Sequence, residues 1–162
     1  MASMSLRYPF PETPEDFESL CLILFREHWK CENLKQYARR GNKQTGIDLI
    51  GTDKEGRVCA IQCKHRDFHR ILTETEVLNE IKLVKKRRKR KVSRYAIMTT
   101  AKRDLALQDF AVEKTQEHGR KGLFSVEIYS WDDIIELLNQ YPDIAKSIYG
   151  YSSPSAPHQI PP

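Results

Sequence analysis

Four successive apolar residues, Val58-Cys59-Ala60-Ile61, run directly into Gln62-Cys63-Lys64. Side chains alternate along a strand, so an unbroken apolar run makes both of its faces apolar. A strand of that kind is buried in the middle of a sheet covered on both sides. The run then ends in an amide and an amine that share one face, with Cys63 on the other. Two polar side chains at the end of a buried strand call for a polar partner close by. The flanking sequence offers one, because Gly46-Ile47-Asp48 precedes the strand across a turn of hairpin length, Thr52 to Gly56.

The remaining elements follow from periodicity and caps. Residues 1–12 read as an extended, Pro-containing lead-in. Thr13-Pro14-Glu15-Asp16 opens a helix, with Thr13 as N-cap, Pro14 at N1 and two acids at the positive end. Phe17, Leu20, Cys21, Leu24 and Phe25 give that helix a buried stripe, and Glu18 sits at its edge. A first strand is expected over Leu34 to Arg39, then a polar loop from Gly41 to Gly46 and a short strand from Ile47 to Ile50.

Thr73-Glu74-Thr75-Glu76 has the capping-box pattern, followed by Val77, Leu78, Ile81 and Val84 at helical spacing. A strand is expected over Tyr95 to Thr99 and a helix over Leu105 to His118, broken by Gly119 and Gly122. Leu123 to Tyr129 alternates as a strand, and Ser130-Trp131-Asp132-Asp133 opens a last helix. Alternating strands and helices in the second half imply an α/β fold, a mixed central sheet flanked by helices. Residues 151–162, with four prolines, read as a linker leading to further domains, leaving 13–150 as the folded domain.

Charge is unevenly spread. The chain carries +5 overall, yet Lys82 to Arg94 alone holds nine Lys/Arg and no acid, which leaves −4 elsewhere. Lys85, Lys86, Arg87, Arg88, Lys89, Arg90 and Lys91 form its centre, a patch suited to neutralising phosphates. The bland alternative is a solvated face or a nuclear-localisation-like cluster. No apolar run approaches the about 20 residues that span a bilayer. The four cysteines lack Cys-x-x-Cys spacing, so reduced thiols in the cytoplasm are expected. A zinc site from Cys63, His65 and His69 lacks a second ligand pair. Trp29 and Trp131 read as core anchors rather than base-stacking platforms.

A carboxylate oxygen, an amide oxygen and a backbone carbonyl are hard ligands that suit Mg²⁺. A neighbouring ammonium can orient water or stabilise charge developing on phosphorus. Taken singly, Asp48 could be a turn residue, and Gln62 and Lys64 the protected end of an edge strand. Their combination at hairpin distance favours chemistry.

The Asp48 and Gln62-Cys63-Lys64 pattern resembles the PD-(D/E)XK nuclease superfamily, with its restriction endonuclease-like core. The nearest likeness is to the Mrr-type branch, in which Q-x-K replaces (D/E)-x-K. It covers roughly residues 13–140, including Met98-Thr99-Thr100 and the Trp131-Asp132-Asp133-Ile134 helix. The resemblance implies catalytic roles for Asp48, Gln62, Lys64 and Glu18, the last matching the branch's helix acid. Metal contact would fall to Asp48, Gln62 and Glu18, with Mg²⁺ as cofactor and Mn²⁺ able to substitute. It further implies double-stranded DNA as partner, self-association or a C-terminal regulatory region, and a place in antiviral or restriction-type defence. Related domains stand at the N-terminus of antiviral STAND ATPases. Gln62 departs from the superfamily's usual acid, leaving fewer charged ligands. The alternatives are a catalytically silent DNA-binding module and an oligomerisation module of the same fold.

Overall fold

The computed structural model describes residues 7–37 and 44–150. The expected linker at 151–162 and residues 38–43 of the expected strand and loop lie outside the described residues. Helix α1 (Pro14–His28) is followed by β1 (Lys35–Gln36), β2 (Leu49–Thr52) and β3 (Val58–Lys64). Then come α2 (Glu74–Lys85), β4 (Arg94–Thr99), α3 (Leu105–Arg120), β5 (Ser125–Tyr129), α4 (Trp131–Gln140) and α5 (Pro142–Tyr149). The five strands form one sheet in the order β1-β2-β3-β4-β5. The pairs β1–β2 and β2–β3 are antiparallel, whereas β3–β4 and β4–β5 are parallel. The expected α/β architecture, a mixed central sheet flanked by helices, is therefore present.

The apolar run that ends in Gln62 and Lys64 is the central strand, with two neighbours on either side. Its two faces feed two cores. Cys59 and Ile61 join Phe17, Leu24, Phe25 and Ile134 on the face covered by α1, α4 and α5. Val58 and Ala60 join Val77, Ile81, Tyr95 and Leu107 on the face covered by α2 and α3. Each large apolar side chain taken fully out of water contributes about 1.5–3 kcal/mol. Trp29 and Trp131 are buried as anchors. The four cysteines are free, and three of them are fully buried.

Caps set the helix starts as the sequence predicts. Thr13 Oγ1 accepts from Asp16 N at 3.1 Å. Thr73 and Glu76 form a reciprocal capping box on α2. Several boundaries differ from expectation. β1 is only Lys35–Gln36, because its partner strand begins at Leu49 rather than Ile47. Gly119 lies inside α3, and the chain turns at Gly122 instead, where φ is 69°. β5 starts at Ser125, two residues later than expected. Helix α5 is an addition: Pro142 occupies its first turn and Gly150, with φ 76°, caps its end. The described part of the lead-in, residues 7–12, packs on the body. Tyr8 is buried, Phe10 stacks on Trp131 at 5.1 Å, and Pro11 O lies 2.8 Å from His65 Nε2.

Candidate active site

The site forms where β2 and β3 part. Beyond the Leu49–Ile61 pair, Asp48 leaves the ladder and is held by its neighbours on both sides. Its N–H donates to Ile61 O at 2.8 Å, and its carbonyl accepts from Tyr37 N at 2.8 Å. Its carboxylate Oδ2 accepts from Cys63 N, also at 2.8 Å. The acid is therefore tied to the residue that stands between Gln62 and Lys64. Burial pushes its pKa above the ordinary 3.8, against the opposing pull of the Cys63 N–H and the Lys64 charge.

Gln62 and Lys64 share the α2 side of β3, while Cys63 packs toward the α1 core. Lys64 Nζ donates to Glu80 Oε2 on α2 at 2.9 Å. Glu18, half-buried on α1, approaches from the other side of the sheet. Burial raises its pKa above 4.5, the Asp48 charge raises it further, and a hydrogen bond with Gln36 opposes both. Asp48 thus stands within electrostatic reach of Lys64 on one side and of Glu18 on the other, and Gln62 and Lys64 share one face at the end of β3.

Two residues join them that the sequence pattern did not single out. Glu80 occupies the buried stripe of α2 with Val77, Ile81 and Val84, where Leu78 is expected from spacing. An acid three residues after Val77 and next to Ile81 is the signal that could have found it. Tyr95, on β4, is fully buried and donates its hydroxyl to Gly46 O at 2.8 Å. Gly46 needs its positive φ of 78°, and a Cβ there would lie 2.9 Å from Glu80 O. The loop that carries Asp48 is thus seated directly on the α2 backbone at Glu80.

The basic run is not part of this centre. Lys85 ends α2, and residues 86–93 lead into β4 at Arg94, opposite Cys59. Lys64 pairs with Thr99 at the other end of β4, about 17 Å away at strand rise. Lys86 and Arg87 are the exceptions, since both line a cavity with Tyr37, Thr45 and Ile47, next to Asp48. The Arg87 guanidinium lies 4.9 Å from the Tyr37 ring centroid and donates to the Tyr37 hydroxyl, beside the backbone that holds Asp48. Lys85, Lys86, Arg88, Lys89, Arg90 and Lys91 are exposed. Next to Lys64, Arg66, Asp67, His69 and Arg70 line a cavity of about 680 Å³, with Arg66 paired to Glu76. The zinc arrangement does not form, since His65 turns to Pro11 and Cys63 to the core.

The donors fit a hard divalent cation. Glu18 and Asp48 are two carboxylates that both gain from a nearby positive charge, and Gln62 adds an amide oxygen. Among the described residues no three His, Cys, Asp or Glu side chains are gathered as a metal site. A cation here would therefore complete its shell with Gln62, backbone carbonyls and water.

A mixed sheet whose central strand ends in Gln-x-Lys beside a strand-end Asp defines a restriction endonuclease-like domain. Residues 18–132 match the Mrr-type catalytic family described as restriction endonuclease, and the chain belongs to that family. No curated protein matches it in sequence. Among solved structures, it is similar to the MspJI restriction endonuclease in complex with a 27-mer oligonucleotide. That match has a TM-score of 0.53 at 14% identity, over 92% of this chain and 36% of the other. The DNA modification-dependent restriction endonuclease AspBHI matches with a TM-score of 0.42 at 20% identity, over 93% of this chain and 44% of the other. The chain thus spans less than half the length of either solved protein.

Proposed function

We propose that this domain is a Mg²⁺-dependent endonuclease that hydrolyses phosphodiester bonds of double-stranded DNA, with Mn²⁺ able to substitute. One observation carries the reading: the Asp48 carboxylate is fixed on the Cys63 N–H, between Gln62 and Lys64. Asp48, Glu18 and the Gln62 amide oxygen would hold the cation. When bound, such an ion supplies neutralising charge for a phosphodiester and a more acidic water. Lys64 faces the substrate as a donor, orienting the attacking water or a non-bridging phosphate oxygen. The exposed cations from Lys85 to Lys91 would grip the DNA backbone away from the cut.

We further propose a role in restriction-type or antiviral defence, controlled by self-association or a C-terminal region; the match to a restriction endonuclease family supports the first of these. The oligonucleotide in the MspJI structure supports nucleic acid as the partner class. The test is incubation with plasmid DNA, with and without Mg²⁺, beside Lys64→Ala and Asp48→Ala. Cutting that needs Mg²⁺ and falls about a hundredfold or more in both variants supports the reading. Wild-type-level cutting by either variant overturns it. DNA retention with strong salt dependence and no products under any divalent metal identifies a silent binding module instead.

A further inference from the structure

A buried stripe on a helix is where an acid is least expected, because an uncompensated carboxylate there costs several kcal/mol. Glu80 occupies such a place, in the same row as Val77, Ile81 and Val84. Its only polar side-chain partner among the described residues is Lys64, at 2.9 Å. The pair is sheltered, with side chains 19% exposed at Lys64 and 11% at Glu80.

The backbone of Glu80 is equally constrained. Its carbonyl lies 2.9 Å from where a Gly46 Cβ would stand, so the Asp48 loop rests on it without clearance. Tyr95 closes the arrangement from β4 through Gly46 O. One residue is therefore registered to the Asp48 loop by its main chain and to Lys64 by its side chain. We place Glu80 with Lys64 rather than with the cation because its Oε2 already accepts from Lys64 Nζ.

We propose that Glu80 is a positioning residue that aims the Lys64 amine at the scissile phosphate. An ammonium has three donors. The contact with Glu80 uses one and fixes the direction of the others, which remain for a phosphate oxygen and a water. A four-carbon stem loses much rotamer freedom on being held, and Glu80 removes that cost before substrate arrives. The inference rests on the reading of Lys64 as the residue that addresses the phosphate.

The experiment measures single-turnover cleavage of plasmid DNA in Mg²⁺, together with DNA affinity and thermal melting. It compares the full chain with Glu80→Gln, Glu80→Asp, Lys64→Ala and the double variant Lys64→Ala/Glu80→Gln. Glu80→Gln keeps the volume and an acceptor oxygen but loses the charge. It is expected to melt as the wild type does, bind DNA equally, and cut about ten- to a hundredfold more slowly. Glu80→Asp should recover part of the rate, and the double variant should be no slower than Lys64→Ala alone.

Glu80→Gln cutting at the wild-type rate while Lys64→Ala is inert overturns the role of Glu80 and leaves the nuclease reading standing. Losses that multiply in the double variant also overturn it, because Glu80 would then act independently of Lys64. Wild type and Lys64→Ala behaving alike overturns the nuclease reading and this inference together. If Glu80→Gln does not fold, Glu80→Asp decides: its carboxylate is drawn back by one methylene, and an unchanged rate counts against the proposal.

Discussion

The backbone N–H of Cys63 donates to Oδ2 of Asp48 at 2.8 Å, across the opening between β2 and β3. A side chain there takes the place that a backbone carbonyl would hold in a continuing ladder. The strands can therefore diverge without orphaning a buried N–H, which would cost about 1–3 kcal/mol. The same bond fixes one carboxylate oxygen of Asp48.

Asp48 and Glu18 make the metal-free fold sensitive to pH in a definite direction. Both carboxyls are held above their ordinary values by burial first. The folded state therefore binds protons more tightly than the unfolded chain at these positions. Their contribution to stability falls as pH rises from the unfolded values of 3.8 and 4.5 through the raised ones. Without metal, Asp48→Asn should melt higher than wild type at neutral pH, with the difference shrinking on acidification. Calorimetric melts across pH check this. A lower melting point for Asp48→Asn at neutral pH would contradict it.

Gly46→Ala should destabilise the fold by about 1–3 kcal/mol. The residue needs φ 78°, and the new Cβ would meet Glu80 O at 2.9 Å and Leu83 Cβ at 3.1 Å. Moving the loop off α2 also moves Asp48, so cleavage should fall along with stability. Urea unfolding and plasmid cutting, measured on the same preparation, read both effects.

Tyr95→Phe removes the donor to Gly46 O from a fully buried site. A buried carbonyl left without its partner costs about 1–3 kcal/mol, with little change in volume. Urea unfolding should show the loss as a shift in midpoint at unchanged slope.

Replacing Arg88 and Lys89 by Gln should weaken DNA binding similarly for unrelated sequences. The salt dependence of log K should flatten by about 0.9 for each phosphate that is no longer neutralised. Both side chains are exposed and stand away from Lys64. Single-turnover cleavage at saturating DNA should therefore change little. Fluorescence anisotropy over a salt series measures the slope.

The centre of the fold was legible because Val58–Lys64 obeys one rule throughout: apolar on both faces, then polar on one. The start of α2 was legible because a capping box is local chemistry. What escaped depended on partners distant in sequence. β1 is short because β2 starts late, and β2 starts late because Asp48 is tied to Ile61 and Cys63. Helix α5 begins at Pro142, whose ring is tolerated in a first turn, and was not expected from the sequence. Asp48, Gln62 and Lys64 could be found by spacing. Glu80 could not be assigned to Lys64 that way, since 16 residues and a loop separate them. Among acids on a helix, only its place in the apolar row set it apart.

Binding of Mn²⁺, followed by the electron paramagnetic resonance of the free ion, tests most directly whether Asp48 and Glu18 form a metal site. The account predicts one site on the wild-type chain without DNA, weakened about tenfold or more by Asp48→Asn and by Glu18→Gln. Titration curves for Asp48→Asn that superimpose on the wild type would contradict it.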